Sequence, residues 1–281
     1  LPFYKIRPLY TGLAYLVHKT GINILTAIIL ISVLSSFLMS ILILRWLLDY
    51  LDEFYAYLFA FLIIHSTGII QIARIFTPDA LSALVLIFSI YILTQKRLYF
   101  ASFFLVLAIF ARTDNIILVL IVLTYLRFFS INDYRLNWKS YIFFMLFATF
   151  SYLSINYLAN NYGWSTIFHH TLISLINNPA DYHPIVTLSD YLRVLRQNSF
   201  EAFLWVNSTF IFLLFAFVSI FLDKLNDGIY KIYSHLTILL ILSVIIHLVL
   251  FPAFWIRFFI AHYAIISLSM LIIIGFKKGS A

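Results

Sequence analysis

From Gly21 onward the chain is a succession of apolar runs separated by short polar connections. The runs fall at about 22–44, 53–75, 79–95, 98–111, 114–129, 139–160, 201–222, 235–251 and 253–276. About 20 apolar residues cross the hydrocarbon of a bilayer as a helix. The runs are continuous, whereas barrel strands would alternate in short segments. The pattern predicts an all-α fold, a polytopic transmembrane bundle of about nine spans forming one domain over residues 1–281. The run at 98–111 is short, so it must tilt little or end below the membrane surface.

Two longer segments interrupt the apolar pattern without becoming hydrophilic. In residues 1–21, Leu9, Tyr10, Leu13, Leu16 and Val17 repeat at helical spacing behind Pro8, and Gly21 is placed to end the helix. This predicts an amphipathic helix lying in the membrane interface, with Lys5 and Arg7 at its mouth near lipid phosphate. The segment 161–200 holds two apolar stripes, Phe168, Leu172, Leu175 and Ile176, then Leu188, Leu192 and Leu195. Two short surface helices are expected there, folded over the mouth of the bundle.

Composition narrows the class. Hydrophobic residues make up 64% and charged residues 10% of 281, against about 45–50% and about 25% in soluble domains. Cysteine is absent, which excludes disulfides and thiolate chemistry. No Walker A sequence, dinucleotide glycine fingerprint, H-E-x-x-H or nucleophile elbow occurs, so ATP-driven work has no support in the chain. The net charge of +7 fits connections that stay cytoplasmic rather than nucleic-acid binding. Ten basic residues (Arg45, Lys96, Arg97, Arg127, Arg135, Lys139, Lys224, Lys231, Lys277 and Lys278) lie on one set of connections. Only Arg74, Arg112 and Arg257 lie on the short connections of the other face. The first face is therefore expected in the cytoplasm, with residue 1 outside and residue 281 inside. The wealth of Ile, Phe, Tyr and Asn suggests an AT-rich bacterial genome, and hence an inner (plasma) membrane.

With this orientation the unusual polar residues collect at the outer surface. In FTPDALSALVLIF, Thr77 suits a helix cap, Pro78 the first turn and Asp79 the positive end of the helix dipole. In ARTDNIIL, Arg112 can bond the last carbonyls of one helix while Thr113 or Asp114 caps the next. On that capping reading Asp114→Asn is close to neutral, because Asn caps as well. In FPAFWIRFFIAHYAII, Arg257 falls about one turn inside a span, with His262 and Tyr263 further in. An arginine there costs about 2.5 kcal/mol or more unless it snorkels or finds a partner, and such residues are functional candidates. His262 and His247 also serve as hydrogen-bond glue between helices on the plainer reading. His65, near the middle of a span, is expected to be buried against a neighbouring helix. His169, His170, Asp181 and His183 match no standard metal-ligand spacing. Neither a metal nor a cofactor is predicted.

The order of these elements resembles the GT-C superfamily, polytopic membrane glycosyltransferases that use sugars carried on polyprenyl phosphates. The likeness rests on RPLY (Arg7 to Tyr10) leading through an interfacial helix into a span, PDAL (Pro78 to Leu81) at a helix start, ARTDN (Ala111 to Asn115) at a turn, and a late outer arginine. It implies transfer of a glycosyl group from a lipid-phosphate donor to an acceptor on the non-cytoplasmic face. Arg257, then Arg7, then Arg112 would bind the donor phosphate, with Asp79, Asp114, His262 and Tyr263 bracing the site. The expected partners are membrane lipid and the polyprenyl-phosphate sugar; sugar and acceptor stay open. The family's key acidic residue lies in the first outer loop, and no position here matches it, so the catalytic base is expected on a segment preceding Leu1. Two non-enzymatic readings stand beside this one, a flippase for lipid-linked sugars and a GT-C-like assembly subunit without catalysis.

The basic-residue bias carries a direct test. Single cysteines at Asn132 and Asn177 should react with an impermeant thiol reagent from opposite sides of the membrane. Labelling of both from one side would contradict the topology.

Overall fold

The structure is a computed structural model and describes residues 5–130, 132–175, 182–204, 228–253 and 255–274. All its regular elements are helical. They run in order α1 (Pro8–Lys19), α2 (Ile24–Leu48), α3 (Glu53–Ile64), α4 (Thr67–Arg74), α5 (Asp79–Thr94), α6 (Leu98–Ala111) and α7 (Ile116–Phe128). After these come α8 (Trp138–Leu158), α9 (Trp164–Phe168), α10 (Leu188–Leu204), α11 (Gly228–Leu250) and α12 (Ile260–Ile274). Short 3₁₀ turns at Thr113–Asn115 and Ile256–Phe258 join α6 to α7 and lead into α12.

The chain is a helical membrane protein. Three helices, Ile24–Leu48, Trp138–Leu158 and Lys231–Leu250, are long and apolar enough to cross a bilayer. α3 and α4, bent by 57° at their break, together make a fourth candidate span. Large side chains such as Phe37, Phe61, Phe150 and Leu153 stand exposed on these helices, which a soluble surface would not tolerate over so wide an area. The shorter apolar helices are more enclosed. α5, of 16 residues, and α6, of 14, are only about 24 and 21 Å long at 1.5 Å per residue. Most of the 201–222 run lies outside the described residues.

The difference in length shapes the molecule. α5 and α6 form a tight antiparallel pair, closed at one end where Lys96 adopts a left-handed φ of 60°. Their other ends, Asp79 and Ala111, come to rest side by side. The longer α8 and α11 pack beside α7 and run past it, so the short helices floor a recess that the long ones wall.

Across the bundle, near the opposite end, Trp46 and Tyr233 are both buried and the indole Nε1 donates to the Tyr233 hydroxyl at 2.9 Å. This ties α2 to α11.

Several expectations are corrected in detail. The helices expected in residues 161–200 form, but the stripe Leu188, Leu192 and Leu195 is not the side of α10 that packs. Leu188 and Leu192 are exposed, while Val194 is buried, Tyr191 donates to the Val249 carbonyl at 2.7 Å and Asn198 donates to that of Pro252 at 2.6 Å. Backbone carbonyls left free at the end of α11 decide the docking face, and apolar periodicity does not register them. On α1 the buried side is Tyr10 and Ala14, and Leu16 turns outward. His65 is exposed at the α3–α4 break, its Nδ1 paired with the Phe61 carbonyl of its own helix at 2.9 Å. Ile176, Asn177 and Asp181 lie outside the described residues, as does residue 281.

Candidate functional site

The site begins with Arg112. Directly after α6 the backbone turns extended (φ −151°, ψ 124°), which aims the guanidinium back across the helix ends. Its Nε donates to Asp114 Oδ1 at 3.0 Å and its Nη2 to Asp114 Oδ2 at 2.5 Å. Its Nη1 donates to Asp79 Oδ1. Asp79 opens α5, and its second oxygen accepts from the Thr77 hydroxyl at 2.7 Å. Arg112 and Asp79 are both buried, and the guanidinium lies over the Phe258 ring, 4.4 Å from its centroid. Taking three charges out of water costs several kcal/mol per ion. A bidentate fork and a second carboxylate offset that cost, since charge-assisted bonds of this kind are the strong ones.

Asp79 does sit in the first turn of α5, but the side chains read as caps are doing something else. Thr77 bonds the Asp79 side chain, and no side-chain cap closes α5. Asp114 sits in the 3₁₀ turn and spends both oxygens on Arg112. The end of α6 is served instead by Asn115, whose Nδ2 donates to the Ala108 carbonyl at 2.7 Å and to Ser82 Oγ at 2.8 Å. A buried cation one position after a helix end draws the nearby carboxylates to itself, and the neutral amide takes over the carbonyl.

Around this node a cavity of about 770 Å³ opens, within the size range of small-molecule sites. Arg7, Asp79, Arg112, Asp114 and Arg257 all line it. Tyr152 and Asn156 of α8 form one wall, His247 and Leu250 of α11 another, and Trp164 and His170 of the segment after α8 close it. The Trp164 indole donates to the Leu250 carbonyl at 2.7 Å, fastening that cover to α11. Arg7 is brought in by α1, where the Tyr10 hydroxyl meets Ser32 Oγ at 3.2 Å and Ser32 donates in turn to the Thr77 carbonyl at 3.3 Å.

Three guanidiniums face two carboxylates, and the two carboxylates are both held by Arg112. Arg7 and Arg257 make no ion pair among the described residues. Arg257 rests over the rings of Trp255 and Phe258, at 4.7 and 5.3 Å. Burial, and next the neighbouring Arg112, lower the pKa of Arg7 from its ordinary value, while Asp79 and Asp114 pull it back up. A half-buried arginine beside two others is a place that favours an anion.

Of the predicted site residues, Arg7, Arg112, Arg257, Asp79 and Asp114 meet at this cavity. His262 and Tyr263 do not line it. His262 is buried with Nε2 2.7 Å from Ser243 Oγ on α11, the helix-to-helix role of the plainer reading. Tyr263 is buried in the same helix. Arg112, ranked among the phosphate ligands, has three of its donors committed to carboxylates and acts as the brace. His247, weighed only as glue, does reach the site, with Nδ1 3.9 Å from Asp114 Oδ2. Tyr152, Asn156 and Trp164 were not singled out from sequence, and His170 was weighed only as a metal ligand. They come from distant runs, and no local signal marks them. Among the described residues no group of three His, Cys, Asp or Glu is placed to hold a metal ion.

A ranking of substitutions tests the node. Arg112→Ala leaves the buried Asp79 and the partly buried Asp114 without their cation and should cost about 3–5 kcal/mol. Asp79→Asn and Asp114→Asn should each cost about 1–3 kcal/mol, the first more because Asp79 is the more buried. Unfolding in detergent measures the order. An Asp114→Asn protein as stable as wild type would restore the capping reading.

No protein-family model, curated protein or solved structure matches this chain.

Proposed function

We propose that this chain is a membrane glycosyltransferase of GT-C type, with nine spans in a bacterial inner membrane, and that its cavity opens on the non-cytoplasmic face. It transfers a glycosyl group from a polyprenyl-phosphate donor to an acceptor, and Arg257 and Arg7 hold the donor phosphate. The observation that carries this reading is the convergence of three arginines on one cavity in which two carboxylates satisfy only the middle one. One positive charge is in excess, and it sits on guanidiniums whose planar forks suit phosphate.

A lipid-borne donor also needs a path for its chain. Below the cavity, α7 and α11 continue as the two sides of a second recess of about 610 Å³, with Leu120, Ile121 and Tyr125 facing His235, Leu239 and Leu242. The same two helices supply Asp114's neighbours Ile116 and Ile117, with His247 and Leu250, to the upper cavity. An apolar seam that leads into a cationic cavity supports a ligand with a hydrocarbon tail and an anionic head.

In the reaction, an acceptor atom bonds to the anomeric carbon as the carbon–oxygen bond to phosphate breaks. The electron pair leaves on the phosphate and the acceptor's proton passes to a base. Arg257 and Arg7 stabilise charge that grows on the departing phosphate, while Arg112 keeps Asp79 and Asp114 in place beneath them. Because both carboxylates are bound to Arg112, neither is assigned as the base. That same observation favours the second reading, a flippase or assembly subunit that binds a lipid-linked sugar without turning it over.

Transfer assays with a polyprenyl-phosphate sugar separate the readings. Arg257→Ala should lose about 100-fold in rate, and Arg257→Lys should keep part of the activity because a point charge remains. Wild-type rates in Arg257→Ala would remove Arg257 from the site. Tight binding of donor without any transfer, by a protein that includes the segment preceding Leu1, would favour the non-enzymatic reading.

A further inference from the structure

The 3₁₀ turn that carries Arg257, Ile256–Phe258, rests against α4, the second half of the bent pair. The approach is closest at Gly68. A Cβ placed on Gly68 would lie 2.4 Å from Ile260 Cδ1 and 3.3 Å from Ile256 Cδ1, and carbon atoms in contact sit at about 3.5–4.0 Å. Ile260 is wholly buried, so any movement of its methyl presses on the residues packed around it. The positive-φ glycines are Gly21 and Gly163, and Gly68 is not among them. Its backbone is ordinary helix, where alanine is the better residue. The close approach of the two isoleucines suits a glycine at this point.

The two isoleucines above Gly68 bracket the functional turn. Ile256 immediately precedes Arg257, and Ile260 begins α12. On its other side the turn is held by Phe258, whose ring lies under the Arg112 guanidinium. The position of Arg257 is therefore set between two contacts, an aromatic ring on the charged node and a pair of aliphatic side chains on a bare backbone. Overpacking one of them has to be met by movement of the isoleucine side chains, the turn or α4.

We propose that Gly68 is a positioning residue for Arg257: its missing side chain lets the Ile256–Phe258 turn seat closely on α4, and an added methyl displaces Arg257 from the place where it meets an anionic headgroup. The role in ligand binding rests on the assignment of Arg257 as a phosphate ligand. The seating itself does not.

The test exploits a chain without cysteine. In an Arg257→Cys background, an impermeant charged thiol reagent reports the exposure of position 257. Gly68→Ala should change the labelling rate by about threefold or more, and Gly68→Ala with Ile260→Val, which removes the Cδ1 atom in the way, should return it to within about twofold of the starting value. With Arg257 intact, Gly68→Ala should weaken binding of a short-chain prenyl phosphate about tenfold, and the same second change should rescue it. Unchanged labelling in folded Gly68→Ala overturns the proposal, as does failure of Ile260→Val to restore it. If Gly68→Ala does not fold, the double variant decides: folding with normal labelling supports the contact, and failure to fold refutes it. Labelling that shifts and is rescued in a protein that binds no prenyl phosphate would keep the seating and discard the phosphate reading.

Discussion

The Arg112 guanidinium, held between Asp79 and Asp114, is the contact on which this end of the molecule depends. Two carboxylates at the ends of short apolar helices would be intolerable there without a cation. The cation would be equally costly without them, so all three must assemble together. Their assembly fixes the start of α5 against the end of α6 and bends the 3₁₀ turn into α7. It also seats Phe258, and through it the turn that bears Arg257. Because Arg112 consumes both negative charges, Arg7 and Arg257 are left as cations at the rim of the same cavity. Stability at the node and a surplus of positive charge above it are one fact of geometry.

Helix length supplies the second constraint. A bundle of equal helices would bring every end to one level and leave no recess. Here α5, α6 and α7 stop short, α8 and α11 run on, and the Trp164 segment is fastened to the Leu250 carbonyl across the gap. The result is a pocket with a charged floor, walls that carry Tyr152, Asn156 and His247, and an apolar seam running down between α7 and α11. Arginine inside a bilayer is expensive, and a recess of this kind gives it polar neighbours.

Much of the architecture was legible in the sequence, and the reasons are local. Long apolar runs can only be helices in lipid, so the all-α class follows from hydrophobic pattern, as do the helical form of α1 and of the Trp164 segment. The convergence of Asp79, Arg112 and Asp114 was within reach because each lies at the end of a predicted span on one face. Their bonding was not. Capping rules look one to three residues along the chain, and the partner that overrides the cap is 33 residues away. Tyr152, Asn156 and Trp164 gave no signal for the same reason. His262 and Tyr263 were drawn toward the site by nearness to Arg257 in sequence, yet a helix turns them toward α11 and the core. Gly68 reads as an unremarkable helix glycine until Ile256 and Ile260 are placed above it.

The central claim is that the cavity recognises an anionic phosphate attached to a hydrocarbon chain. Equilibrium binding of a short-chain prenyl phosphate and of the matching prenyl alcohol to the purified protein tests it most directly. The account predicts that the phosphate binds at least about tenfold more tightly than the alcohol, a difference of about 1.4 kcal/mol, and that added salt narrows the gap. Equal affinities for the two, or binding of neither, would contradict it.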